Sequence, residues 1–82
     1  MAFSVYIIFS KKLNRYYTGY TENVSTRLIQ HNNGFSSFTS KANDWELVYT
    51  ETFLSRNEAH AREREIKAKK SRKYIEYLLH SG

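Results

Sequence analysis

The chain has 82 residues, no cysteine, no proline and a formal charge of +5. A chain this short buries only roughly 60% of the surface it exposes when unfolded, so one domain over residues 1–82 is expected, with no room for a second core. Without cysteine the fold cannot rest on disulfides or thiolate-bound zinc; with no apolar run near the roughly 20 residues of a membrane span and no leader-like N-terminus, a soluble, unprocessed, cytoplasmic protein is expected.

Phe3, Val5, Ile7 and Phe9 alternate with Ser4, Tyr6, Ile8 and Ser10, which predicts a strand with one apolar face. The polar stretch 11–15 reads as a turn into a second strand, Arg15 to Tyr20, so the two form an antiparallel hairpin. Gly19, near its end, is either a bulge or strand-end kink, or a place where a backbone or ligand comes close. From Thr21 to Asn33 the spacing becomes helical, with Val24, Leu28 and His31 on one face and Arg27 beside them. Thr21 or Asn23 can cap the start of that helix, and Gly34 can close its end.

Residues 34–44 hold four Ser or Thr without a regular period and read as a loop. Trp45 to Phe53 follows as a third strand, with Trp45, Leu47, Tyr49 and Phe53 on one side and Val48 with two threonines on the other. Ser55-Arg56-Asn57-Glu58 has the spacing of a capping box that opens a helix. A last helix begins near Ser71 and buries Tyr74, Ile75 and Leu78, with Leu79 alongside. The order strand-strand-helix-strand-helix-helix predicts an α+β fold, a three-stranded antiparallel sheet flanked by helices.

Charge is unevenly spread, because residues 55–82 carry eight Lys or Arg against four Glu. A basic C-terminal third suits a polyanion such as nucleic acid; the alternative is an ordinary solvated helix surface. Within it, Ala59, Glu63 and Ile66 lie on one helical stripe, so the Glu63 carboxylate falls on an inward face. A charge there needs a cationic partner, a metal or the rim of a cleft. Arg27 and His31, four residues apart, share a face at the core boundary. The arginine suits either a phosphate oxygen or a surface pair with a residue such as Glu22. The histidine either orients a tyrosine hydroxyl or a water, or caps the helix end as imidazolium. Seven tyrosines are mostly packing residues; Tyr6 stands out by its face and Tyr17 by its place two before Gly19.

The joint spacing of Ser4-Val5-Tyr6, Tyr17-Thr18-Gly19, Arg27 to His31 and Glu63 resembles the GIY-YIG nuclease superfamily, and its small stand-alone bacterial members most closely. The likeness runs over roughly residues 3 to 79. Ser4 stands where the family has glycine, and Thr18 where it has isoleucine. The resemblance, shared with excision-repair incision subunits and phage-type homing endonucleases, implies a metal-dependent endonuclease that cleaves DNA phosphodiesters by in-line attack of water. In that picture Tyr6 or Tyr17 accepts the proton, Arg27 binds phosphate and His31 orients the base or the water. Glu63 holds one Mg²⁺ or Mn²⁺, and Gly19 is the motif glycine. Lys41, Lys67, Lys69, Lys70, Arg72 and Lys73 would form the footprint on DNA, with the chain a monomer or weak homodimer. The other readings are an inactive nucleic-acid-binding module on the same fold and a domain that meets an acidic protein.

Overall fold

A computed structural model describes residues 2–81, with side chains over 2–80. Its elements are β1 (Phe3–Ser10), β2 (Arg15–Thr21), α1 (Val24–Asn32), a 3-10 turn (Thr39–Lys41), β3 (Glu46–Phe53), α2 (Arg56–Lys69) and α3 (Arg72–Ser81). The sheet order is β2-β1-β3 and both pairings are antiparallel. This is the expected α+β arrangement in the expected order.

Because β1 is central, both of its faces are covered, where the alternation had suggested only one apolar side. Val5 and Ile7 pack with Ala59, Ile66 and Leu78 from α2 and α3. Tyr6 and Ile8 pack on the other side with Ala42 and Trp45, flanked by Val24 and Leu28 of α1. A strand covered on both faces reads as a continuous apolar run, and the buried middle of β1, Val5-Tyr6-Ile7-Ile8, does so. Each fully buried Val or Ile contributes roughly 1.5–3 kcal/mol.

The third strand departs from expectation for a related reason. Ile7 pairs with Tyr49 but Ile8 pairs with Leu47, so Val48 is an extra residue and the period of two breaks there. Trp45 therefore lies with Tyr6 and Ile8, whereas Tyr49 and Phe53 pack with Val5 and Ile7 on the opposite face.

Local signals set the ends of the elements. Asn23, not Thr21, caps α1 by accepting the Thr26 N–H at 3.0 Å, and Gly34 leaves the helix at φ +79°. Ser55 Oγ accepts the Glu58 N–H at 3.2 Å, while Glu58 reaches back to the Ser55 hydroxyl at 3.0 Å. Lys70 turns the chain from α2 into α3 in the left-handed region, φ +47°. The loop after α1 is fastened down. Asn32 and Trp45 exchange side-chain and backbone bonds of 2.8 and 3.1 Å, and the Trp45 indole donates to the Thr39 carbonyl at 2.9 Å. Among the described residues no helix is long and apolar enough to cross a membrane.

Candidate active site

Tyr6 stands opposite Gly19 across the β1–β2 ladder, and Tyr17 stands opposite Ile8, so the two tyrosines are diagonal neighbours on one face. Gly19 is not a bulge; it sits in register within a strand that continues to Thr21. Its hydrogen side chain makes room for the Tyr6 phenol, since a Cβ there would lie 2.5 Å from the hydroxyl oxygen and 2.8 Å from Cζ.

His31 of α1 is fully buried beneath the phenol. Its Nε2 is 2.7 Å from the Tyr6 hydroxyl and its Nδ1 is 2.8 Å from Thr39 Oγ1. The Thr39 hydroxyl is directed at the Ser36 carbonyl at 3.5 Å, which leaves Oγ1 to accept from Nδ1–H. That assignment makes Nε2 a bare acceptor for the Tyr6 O–H. Burial, reinforced by the nearby Arg27 charge, lowers the imidazole pKa to about 4. Both nitrogens are occupied inside the core and the ring is neutral, so His31 does not serve as a charged cap of the helix end. Burial raises the Tyr6 phenol to about 12; Tyr17 and Glu63 push the same way, and the charge and hydrogen bonding of Arg27 oppose them.

Tyr17 touches the imidazole with its edge, ring centroids 5.0 Å apart, and packs on Phe38 at 5.4 Å. Arg27 donates to Gln30 Oε1 at 2.9 Å and forms no carboxylate pair among the described residues, so the Glu22 alternative is not realised. On α2, Ala59 and Ile66 are buried as the stripe required, and Glu63 sits at the rim with its side chain 13% exposed. Its partners are a lysine and a histidine, not an arginine: Lys67 Nζ lies 3.2 Å from Oε2 and His60 Nε2 lies 3.9 Å from Oε1. Tyr6, Tyr17, Arg27 and His31 thus share one spot, and the Glu63 carboxylate acts on it electrostatically.

A groove of about 780 Å³ runs from this spot along β2 toward the α2–α3 junction, with Tyr17, Phe38, Lys67, Lys70 and Arg15 in its walls. Tyr6, Arg27 and Glu63 do not line it; they adjoin it through Tyr17 and Lys67. A smaller hollow continues past Phe38 to Lys41, and among the described residues no Asp or Glu lines either. The six expected footprint residues divide. Lys41, Lys67 and Lys70 face these hollows, and so does Arg72. However, Arg72 is engaged by Asn14 through two bonds of 3.0 Å and by Glu76 at 3.2 Å, and it lies over the Tyr16 and Phe9 rings. It clamps the β1–β2 turn to α3. Lys69 lies over the Tyr74 ring, and Lys73 is exposed.

Sequence reasoning missed Thr39, Phe38 and Gln30. Thr39 lies in a loop of four hydroxyl residues with no period, and nothing distinguishes it there except its distance of eight residues from His31.

A family model described as the GIY-YIG catalytic domain matches residues 2–75. The chain belongs to the GIY-YIG family. This is a nuclease family. A UPF0213 protein of Staphylococcus epidermidis is 48% identical over 52 residues, covering 62% of this chain and 63% of that protein. The chain therefore spans less than two thirds of that relative. A UPF0213 protein of Staphylococcus haemolyticus is 47% identical over 64 residues, 77% of each chain. The solution NMR structure of UPF0213 protein BH0048 from Bacillus halodurans superposes with a TM-score of 0.60 at 36% identity, covering 96% of this chain and 83% of that one. The two departures from the GIY-YIG motif lie outside the Tyr6–His31–Thr39 chain of hydrogen bonds. Ser4 meets Thr52 at 3.5 Å, and Thr18 is buried opposite Ile7.

Proposed function

We propose that the protein is a metal-dependent endonuclease that hydrolyses DNA phosphodiesters by in-line attack of water. The observation that carries this reading is the Tyr6 hydroxyl held at 2.7 Å by a neutral imidazole, with Arg27 and Glu63 both acting on it by charge. A phenol at about 12 carries almost no phenolate at neutral pH, so Tyr6 works as a relay. As its oxygen takes the proton of the attacking water, its own proton moves to His31 Nε2. Thr39 fixes the tautomer that makes this possible. Tyr17 touches the same imidazole and borders the groove, which suits it to position the strand. Arg27 receives the negative charge that develops on the phosphoryl oxygens.

Glu63 fits a hard divalent ion, Mg²⁺ or Mn²⁺. It presents carboxylate oxygen at a solvent-reachable rim, and its present neighbours are a lysine and a histidine that a cation can displace. No group of three His, Asp or Glu suited to a metal occurs among the described residues, so waters and substrate would complete the shell. When bound, such an ion supplies Lewis acidity and favours negative charge nearby. Lys41, Lys67, Lys69, Lys70 and Lys73 are read as the footprint on DNA, Arg72 contributing through its clamp. The same reading takes residues 1–82 as one cytoplasmic domain, a monomer or weak homodimer.

The acid-free groove also suits a second reading, a nucleic-acid-binding module without catalysis. That reading expects salt-dependent DNA binding and no metal-dependent product. The test is cleavage of duplex, single-stranded and branched DNA with and without Mg²⁺ by native protein, Tyr6→Phe and Arg27→Ala. Both variants are expected to lose on the order of 10²-fold or more. Full activity in Tyr6→Phe would overturn the relay, and the absence of any product would favour the binding module.

A further inference from the structure

Lys67 stands between two parts of the site that are otherwise separate. Its ammonium lies 3.2 Å from Glu63 Oε2 and 5.4 Å from the Tyr17 ring centroid, and its side chain forms part of the groove wall. The other groove cations lack this combination: Arg15 and Lys70 face the groove without an ion pair to a carboxylate among the described residues, and Arg72 is held by Asn14 and Glu76. An i,i+4 Glu–Lys pair on a helix surface contributes only roughly 0.3–0.5 kcal/mol, so stability alone does not require this contact. Lys67 is 47% exposed, and its flexible stem can turn from the carboxylate into the groove while the helix stays in place. Any divalent ion on Glu63 Oε2 has to displace that ammonium.

We propose that Lys67 is a tethered counter-cation that occupies Glu63 until a divalent ion replaces it, and then swings past Tyr17 to meet a phosphate in the groove. Two consequences follow from one moving charge. Metal binding is weakened by the resident ammonium, and metal and phosphate bind cooperatively because each favours the same displaced position of Lys67. By linkage the two effects are reciprocal. The inference rests on Glu63 being the metal ligand, and it adds a residue that sets how metal loading depends on the substrate.

The test is titration with Mn²⁺ alone, with free Mn²⁺ read by electron paramagnetic resonance, for native protein, Lys67→Ala, Lys70→Ala and Glu63→Gln. Removing a unit charge a few ångströms from a divalent ion in a partly wet site is expected to tighten binding about three- to tenfold in Lys67→Ala. Lys70→Ala, with the same change of net charge, is expected to shift it less than about twofold. Unchanged or weaker affinity in Lys67→Ala, or an equal gain in Lys70→Ala, overturns the proposal. Native-like Mn²⁺ affinity in Glu63→Gln overturns the metal-ligand reading itself, which separates the two failures. Thymidine 3′,5′-bisphosphate, which has no diester to cleave, supplies the second readout. With Mn²⁺ saturating, Lys67→Ala is expected to bind it about threefold or more weakly than native, and equally well without Mn²⁺. The same loss in both conditions would mean that Lys67 contacts phosphate regardless of metal, and the exchange would be wrong.

Discussion

Gly19 and His31 show how single side chains hold the centre together. At Gly19 a methyl group would meet the Tyr6 hydroxyl at 2.5 Å, a distance no relaxed contact allows, and the phenol is buried with its oxygen bonded to His31. Gly19→Ala is therefore expected to cost about 1–3 kcal/mol by overpacking and to displace the hydroxyl from His31. A lower melting temperature together with lost cleavage would bear this out; an unchanged melting temperature would count against it. For His31 the pKa is about 4 when folded against an ordinary value of 6.5. Between those values the unfolded chain binds a proton that the folded chain does not, so stability rises with pH from 4 to 6.5 and is progressively lost on acidification across that window. The contribution is at most about 3 kcal/mol. It should be visible as a difference in pH slope between native protein and His31→Gln in urea unfolding, and coincident slopes would refute it.

At the scale of elements, α2 performs two tasks on two sides. Ala59 and Ile66 enter the core and Glu63 faces the candidate centre. Arg62 meanwhile forms a network with Glu51, Glu65 and Tyr74 on the Val5 side of the sheet. Glu51 accepts from Arg62 Nε and Nη2 at 3.0 Å each, and Tyr49 donates to it. The guanidinium is held well above its usual pKa range by Glu51 first, with Tyr74 and Glu65 adding to it. Arg62→Ala leaves a half-buried carboxylate uncompensated and should cost roughly 2 kcal/mol, less than for a fully buried pair. Cleavage per folded molecule should be unchanged; a drop would place Arg62 in the chemistry.

This pair was invisible in the sequence because its members lie on different elements, eleven residues apart, and nothing local announces it. The capping box at Ser55 and the Ala59–Glu63–Ile66 stripe were legible because they are periodic and local. The facing of Trp45 was misread because one extra residue at Val48 reverses everything before it. Thr39 was missed because a loop has no period to betray which hydroxyl points inward.

On the scale of the whole molecule, the groove and the hollow beside it gather cations from β2, the loop after α1 and the α2–α3 junction, with no carboxylate in their walls among the described residues. The sequence located the basic third but not the distinction within it between a free lysine and a clamped arginine. That distinction has a measurable form. If Lys70 neutralises a phosphate, Lys70→Ala should reduce the slope of log affinity against log salt by about 1. Arg72→Ala should instead lower the melting temperature through the lost clamp on Asn14, with a smaller change of slope. The reverse pattern would exchange their roles.

Segments distant in sequence converge around the Tyr6 hydroxyl, and Glu63, which acts on it by charge, is the member whose proposed role depends on a bound ion. The direct test is Mg²⁺-dependent cleavage of DNA by native protein and by Glu63→Gln, each shown by circular dichroism to be folded. Metal-dependent product from native protein and a loss of at least about 10²-fold in the variant is the expected result. Cleavage that persists undiminished in Glu63→Gln, or that ignores Mg²⁺ in the native protein, would contradict the account.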